Sequence, residues 1–196
     1  MNAIQIKNIT KRYKDVTALD DVSFSFEFGK IYGFLGRNGA GKTTLINIIA
    51  NRIFADRGEI LIDGIPAKEN MGVHEKIFCM SEADLYDRDL KVKDHFKWTN
   101  RFYAAFDLKK AFELSKKFNL DTNKRFKALS KGYQSIFKLI VALSLNVPYV
   151  IFDEPVLGLD ANHRELFYSL LLKEFENNER LSLIHISEPT RRVVIS

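Results

Sequence analysis

The segment GRNGAGKT, residues 36–43, combines glycines with a lysine and a threonine in the pattern G-x-x-x-x-G-K-[ST]. It follows an apolar run, KIYGFL, and precedes a helical pattern, LINIIANRI, so a strand and a helix should flank it. Glycines let backbone N–H groups turn towards phosphate oxygens, and the helix N-terminus adds a positive dipole end. Lys42 is predicted to reach the β- and γ-phosphates of a nucleotide, and Thr43 to ligate Mg²⁺. A chance glycine-rich turn is the alternative interpretation.

A second group of reactive side chains stands in YVIFDEP, residues 149–155. Its apolar residues predict a buried strand that delivers Asp153 and Glu154 at its C-terminal end, where ligands lie in open α/β sheets. Asp153 is predicted to hold Mg²⁺, and Glu154 to polarise the attacking water. An acidic strand cap explains both residues equally well on its own, but the phosphate loop favours catalysis. The two segments together predict a magnesium-dependent nucleotide hydrolase.

The segment ALSKGYQS, residues 128–135, opens a predicted helix with Ser130 near its N-cap and Gly132 in its first turn. A helix N-terminus of this kind can bind phosphate. Because one nucleotide already has a phosphate loop, a second phosphate site predicts a head-to-tail dimer in which each copy caps the other's nucleotide. An ordinary capped helix is the simpler interpretation of this segment alone.

Length and composition suit one globular domain with a subdomain: 196 residues, 46% hydrophobic and 28% charged, with a net charge of +5. This charge does not by itself favour nucleic acid as a partner. Cys79 is the only cysteine, which excludes an internal disulfide and fits a reducing compartment. The N-terminus does not resemble a signal peptide, and no run approaches the roughly 18 apolar residues of a membrane-spanning helix. The predicted location is cytoplasmic, with membrane association only through a partner.

The distribution of strand and helix patterns predicts an α/β fold. Strand patterns dominate residues 1–82, which should form a β subdomain and the first part of the core. Residues 83–147 lose these patterns and are predicted to form an inserted helical subdomain. Residues 148–180, with one strand and one amphipathic helix, should complete the core.

These segments occur in the order found in the nucleotide-binding subunits of ABC transporters, and residues 1–180 resemble that family, in its exporter-type branch. Tyr13 matches the aromatic residue that stacks on adenine, and residues 36–44 match Walker A. LSKGY is similar to the LSGGQ signature, with Lys131 and Tyr133 in place of a glycine and the glutamine. VIFDEP matches Walker B with its catalytic glutamate, and LGLD ends on the D-loop residue Asp160.

The resemblance implies a RecA-like P-loop NTPase core with an N-terminal antiparallel β subdomain and an inserted helical subdomain. It implies that two subunits, identical or different, sandwich two Mg·ATP and drive integral membrane permease subunits from the inner face of the cell membrane. No direct contact with nucleic acid is expected. The implied ATP-binding residues are Tyr13, Gly36, Asn38, Gly39, Ala40, Gly41, Lys42, Thr43 and Thr44. The signature residues that would act on the partner's ATP are Ser130, Lys131, Gly132 and Tyr133.

Glu82 takes the place at which the family has its Q-loop glutamine. A carboxylate at this place can also ligate Mg²⁺. The predicted metal ligands are therefore Thr43, Asp153 and Glu82, with the hypothesis that the charge of Glu82 slows hydrolysis.

The helical region carries several aromatic residues. On one continuous helix, Trp98, Phe102 and Phe106 would follow one face at i, i+4 and i+8, whereas Phe96 and Tyr103 would lie on another. The core of the subdomain accounts for most of these rings. The alternative is that one set is exposed at an interface, where this family receives the coupling helix of its membrane subunit.

The last stretch, residues 181–196, begins like a strand but is too short for the strands and helix that should follow in this family. LSLIHISEPTRR also looks like the translation of a transposon-type sequencing-library adapter. Residues 181–196 are therefore predicted to be a non-native tail on a chain truncated near Arg180. The alternative is a genuine terminus in which His185 is the switch histidine, catalytic together with Lys42 and Glu154.

Two other functions stay open. A non-transport ABC ATPase acting on ribosomes or nucleic acid is disfavoured because no heptad run separates the two nucleotide motifs. A regulatory, truncated cassette is disfavoured because Lys42, Asp153 and Glu154 are all present.

Overall fold

The structure is a computed structural model. It describes residues 2–34, 36, 39–81, 86–177 and 181–185. Two compact units divide the chain: the first comprises the described residues of 1–79, 148–154 and 178–196, and the second those of 80–147 and 155–177. The sequence prediction kept 148–180 together with the core, whereas in the structure 155–177 group with the helical residues.

The first unit is built mainly from strands and the second mainly from helices. The strands are β1 (Asn2–Tyr13), β2 (Val16–Glu27), β3 (Ile31–Phe34), β4 (Arg57–Ile62), β5 (Ile65–Pro66), β6 (Ile77–Met80), β7 (Tyr149–Asp153) and β8 (Leu181–His185). The helices are α1 (Lys42–Ile49), α2 (Met71–His74), α3 (Val92–Phe102), α4 (Leu108–Lys117), α5 (Lys131–Ser144) and α6 (Ala161–Asn177), with a 3₁₀ turn at Phe126–Ala128. This arrangement confirms the predicted α/β fold class.

An antiparallel sheet with the order β2-β1-β4-β5 occupies the start of the first unit. Ile4 pairs with Phe26 on one side and with Ile62 on the other. All three side chains are buried, because alternate residues of a strand point to the same face. The sheet is the antiparallel β subdomain that the sequence predicts.

A second sheet, with the order β3-β8-β7-β6, carries the nucleotide motifs. β8 runs parallel to both β3 and β7. The helix α1 buries Leu45, Ile46, Ile48 and Ile49 in the core of the first unit, next to Ile151 of β7. Parallel strands deliver their C-terminal ends to one edge, so β3, β7 and β8 all end on the side where a ligand would lie.

The strand β8 lies within the predicted tail. All five of its residues are buried, and Leu183 pairs with Tyr32 of β3 and with Ile151 of β7. The core of the structure thus extends to His185, beyond the residue 180 at which the prediction ended it. Residues 186–196 lie outside the described residues, and the foreign origin of the segment stays a prediction.

The second unit is helical around α5. This helix buries every residue from 136 to 144, as a central core helix must. Its N-cap is Ser130, whose Oγ accepts a hydrogen bond from the backbone N–H of Tyr133 at 3.3 Å, as predicted. Phe96 stacks on Phe137 of α5 with ring centroids 5.4 Å apart.

The predicted division of the aromatic residues between two faces of one helix was wrong for Phe106 and Tyr103. Phe106 is buried and packs near Phe96, whereas Trp98, Phe102 and Tyr103 are 46%, 72% and 55% exposed. The reason is that α3 ends at Phe102 and Tyr103 is already extended, so the helical period does not reach Phe106. Phe106 instead bridges to Leu145 after α5.

Candidate nucleotide-binding site

The phosphate loop leads directly into α1. Gly41 is its N-cap with φ 81°, and a Cβ atom at this position would lie 2.3 Å from the Ala18 carbonyl oxygen. Only glycine fits both the left-handed backbone and the close approach of β2. The ammonium group of Lys42 donates to the Gly36 carbonyl at 2.6 Å, which returns the side chain over the loop.

A cavity of about 410 Å³ lies over this loop. Its lining residues are Tyr13, Ala18, Gly39, Ala40, Gly41, Lys42, Thr43, Thr44, Glu154 and His185. Tyr13, at the end of β1, is 46% exposed, with the Lys11 ammonium 5.6 Å from its ring centre. One aromatic face, a glycine-rich loop and the start of a helix therefore border the same space, an arrangement that is compatible with a phosphate-bearing aromatic ligand.

Asp153 and Glu154 stand at the end of β7, opposite the end of β8. The Nδ1 atom of His185 is 2.6 Å from Oδ1 of Asp153. The backbone N–H of Glu154 donates to the His185 carbonyl at 3.1 Å, and Glu154 adopts φ 52°. A non-glycine residue in this left-handed region stores backbone strain of about 1–2 kcal/mol, and the conformation directs Glu154 out of the strand.

The second ring nitrogen of His185, Nε2, is buried without a hydrogen-bond partner among the described residues. The side chain is 4% exposed. An unpaired buried polar atom costs about 1–3 kcal/mol, so a partner supplied by a ligand would relieve it. The geometry is compatible with the alternative interpretation in which the terminus is genuine and His185 is the switch histidine, and that role stays a hypothesis.

The donor set for Mg²⁺ is present in part. Thr43 lies in the first turn of α1, and Asp153 ends β7. Their hydroxyl and carboxylate oxygens are donors of the type that Mg²⁺ prefers. Within the described ranges, no three His, Cys, Asp or Glu side chains gather as a metal cluster. Glu82 lies outside the described residues, and so does Asn38.

The predicted signature residues and Asp160 belong to the second unit. Ser130 and Lys131 are exposed at the start of α5, and Gly132 and Tyr133 are half-buried. Asp160 precedes α6, and its Oδ1 accepts from the backbone N–H of His163 at 2.9 Å. Sequence reasoning missed His163, although an Asp followed three residues later by a hydrogen-bonding side chain is a helix-start pattern.

The sequence model of the family described as ABC transporter matches residues 19–157, well over half of the chain. The chain belongs to this family. The match spans the phosphate loop, the signature segment and the two acids, so the ABC ATP-binding domain is confirmed.

Two curated ABC transporter proteins are similar in sequence to most of this chain. The ABC transporter ATP-binding protein YtrB of Bacillus subtilis is 32% identical over 92% of the chain and 62% of its own length. NatA of the same organism is 33% identical over 84% of the chain and 71% of its length. The chain thus spans less than two thirds of YtrB.

A solved ABC cassette has the same fold. The dimeric structure of MJ0796, a bacterial ABC transporter cassette, superposes with a TM-score of 0.84 at 25% identity, over 94% of this chain and 88% of the other. Among the helices that the structure describes, none has both the length and the apolar character that a bilayer crossing needs.

Proposed function

We propose that the chain is the ATP-binding and ATP-hydrolysing subunit of an ABC transporter. The observation that carries the proposal is the cavity over the phosphate loop, which brings Tyr13, Lys42 and Glu154 together from distant parts of the sequence. Both curated relatives named above are ATP-binding proteins by name, which supports ATP as the nucleotide.

Each side chain has a distinct task in this proposal. Tyr13 stacks on adenine, while Lys42 and the N-terminus of α1 bind the β- and γ-phosphates. Glu154 accepts a proton from the attacking water. If residues 181–185 are native, His185 donates a hydrogen bond from Nε2 to an oxygen of the γ-phosphate. Thr43 and Asp153 hold Mg²⁺, which neutralises phosphate charge when it is bound.

Two copies of the chain, or this chain and a related one, would complete the site. Ser130, Lys131, Gly132 and Tyr133 lie at the start of α5, where backbone N–H groups can meet the partner's phosphates. The solved cassette MJ0796 is described as dimeric, which supports this arrangement. ATP then acts as the bridge that closes the dimer.

The membrane partner would bind the exposed aromatic surface formed by Trp98, Phe102 and Tyr103. The Trp98 and Phe102 rings stack with centroids 5.7 Å apart, and Arg101 lies 5.7 Å from the Trp98 ring. Exposed aromatic clusters of this kind are favoured at protein interfaces. A permease bound here would hold the chain at the inner face of the cell membrane, and an exporter-type direction is part of the same proposal.

Phosphate release by the purified chain tests the proposed activity. Glu154→Gln should lower kcat by about 100-fold or more and preserve ATP binding, because the water loses its base. Lys42→Ala should weaken both ATP binding and turnover, because the phosphates lose a cation. Lys68→Ala, an exposed lysine of the same unit, is the matched control and should change neither. Equal turnover in Glu154→Gln and Lys68→Ala would contradict the assignment.

A further inference from the structure

The segment from Leu157 to His163 is joined to the first turn of α5 within the second unit. A Cβ atom at Gly132 would lie 2.8 Å from the Gly158 carbonyl oxygen, so the two backbones are in direct contact. The Ser135 hydroxyl donates to the Leu157 carbonyl at 3.2 Å. The signature segment and the D-loop segment therefore share one local packing arrangement.

His163 adds a side-chain link at the D-loop end. Its ring Nδ1 is 2.7 Å from Oδ2 of Asp160, and its backbone N–H binds the other carboxylate oxygen. The hydrogen bonds from the backbone and from the ring of His163 hold the pKa of Asp160 below its usual range. An ionised carboxylate only accepts hydrogen bonds, so Nδ1 carries the hydrogen and donates it.

The same ring contacts the signature segment. Its centroid is 5.9 Å from that of Tyr133 at an interplanar angle of 66°, and 6.1 Å from that of Phe118 at 28°. These are ordinary separations for edge-on and stacked aromatic contacts. The His163 side chain is only 20% exposed, so the ring is held between its neighbours.

We propose that His163 is a positioning residue that fixes Tyr133 and Asp160 in one arrangement, ready to meet the nucleotide site of a second copy. The inference rests on the proposed function, since Tyr133 and Asp160 act on the partner only in an ATP-bridged dimer. In this chain Tyr133 replaces the signature glutamine, and a neighbouring ring in edge-on contact can fix the plane of an aromatic side chain. His163 supplies that neighbour and at the same time occupies both carboxylate oxygens of Asp160.

Two variants separate the two contacts of His163. His163→Phe keeps a ring against Tyr133 and loses the donor to Asp160, whereas His163→Asn keeps a donor near the Nδ1 position and loses the ring. Asn162→Ala, which changes an exposed side chain of the same helical turn, is the matched control. Circular dichroism melting establishes that each variant is folded at the assay temperature.

The measurement is ATP-driven association of the full chain, by sedimentation, in a Glu154→Gln background that blocks turnover. Both His163 variants should weaken association by about tenfold, while ATP binding to the dilute monomer stays at the parent value. Asn162→Ala should associate like the parent. In a Tyr133→Leu background, His163→Asn should cause little further loss, because the contact with Tyr133 is already absent and only the contact with Phe118 is left to remove.

The outcomes distinguish the inference from the proposal beneath it. A parent chain that does not associate with ATP overturns the proposed dimer, and the role of His163 with it. A parent that associates, with His163 variants equal to it, overturns the role of His163 alone. Additive losses in the Tyr133→Leu background overturn it as well, because His163 and Tyr133 would then act independently.

Discussion

At the scale of single residues, Asp63 connects distant parts of the first unit. It follows β4 and accepts hydrogen bonds from the Tyr149 hydroxyl at the start of β7 and from Lys76 at 2.7 Å. Burial alone would raise the pKa of Asp63, but the hydrogen bonds from Lys76 and Tyr149 outweigh it and lower the pKa. The charged form of Asp63 therefore stabilises the folded state, and this contribution is lost as the pH falls through the lowered pKa.

Tyr149→Phe should lower the free energy of unfolding by about 1 kcal/mol at neutral pH, because a hydrogen bond to a charged group is removed. The value is modest since Asp63 keeps Lys76 and remains partly exposed. Urea unfolding followed by fluorescence measures the change, with Tyr103→Phe at an exposed position as control. Equal stability of the two variants would show that the Tyr149 hydroxyl contributes nothing.

The places of individual residues in the fold were predictable where a motif carried them, and their chemical roles stay predictions. Lys42, Thr43 and the acids Asp153 and Glu154 follow from short patterns with a defined strand or helix beside them. The bond between Tyr149 and Asp63 was not predictable, because it joins residues 86 positions apart that belong to no motif. Such a pair is fixed only when the sheets are assembled.

At the scale of elements, α3 contributes His95 to an aromatic core. The His95 ring lies 5.6 Å from Tyr86, 6.0 Å from Phe126 and 5.4 Å from Phe137. Its Nε2 is 2.9 Å from the Asp87 carbonyl oxygen. Burial among these rings lowers the pKa of His95 below its ordinary value. This effect outweighs the hydrogen bond to the Asp87 carbonyl and the charges of Asp87 and Asp94, all of which raise the pKa.

The second unit should therefore lose stability in mild acid. The unfolded chain takes up a proton on His95 near pH 6.5, whereas the folded state resists it, so stability falls as the pH drops from about 6.5 to the lowered pKa. His95→Gln, which can keep a donor towards Asp87, should flatten this part of the melting temperature profile. Asn100→Ala, at an exposed position of the same helix, should retain the parent profile. A profile unchanged by His95→Gln would assign the acid sensitivity to other groups.

Element types were predictable, but their ends were less so. The spacing of apolar residues was regular over enough of β1 and α5 to identify each as a strand or a helix, and Ser130 marked the start of α5. The end of α3 carried no glycine or proline, so the helical period was extended too far and Phe106 was placed on the wrong face. Local propensity does not decide such an end, because the bridge between Phe106 and Leu145 is a tertiary contact.

At the scale of the whole molecule, the strand β8 presents two separate questions. One is how much Leu181–His185, which lies between β3 and β7, contributes to the stability of the fold, and the other is whether the segment is native. An apolar stretch of foreign origin can occupy such a space if its pattern suits a strand that is buried on both faces. Resequencing the gene through codon 180 answers the second question. If the segment is foreign, the native reading frame encodes residues other than Leu181–Ser196 after that codon.

Leu183→Ala answers the first question. Leu183 is 1% exposed, so its truncation should lower the free energy of unfolding by about 2–5 kcal/mol. Leu157→Ala, at a position that is 51% exposed, should cost far less. Denaturant unfolding of both variants in the full chain gives the comparison. Similar small losses would mean that the segment does not belong to the folded core.

The contact between Gly132 and the Gly158 carbonyl also bears on how relatives of this chain should be searched for. Lys131, where the chain also departs from the signature, is exposed, so this contact places no demand on its side chain. At position 132 even a methyl group would meet a backbone oxygen. A search pattern derived from this geometry should demand glycine at 132 and permit an aromatic residue at 133 when a ring occupies position 163.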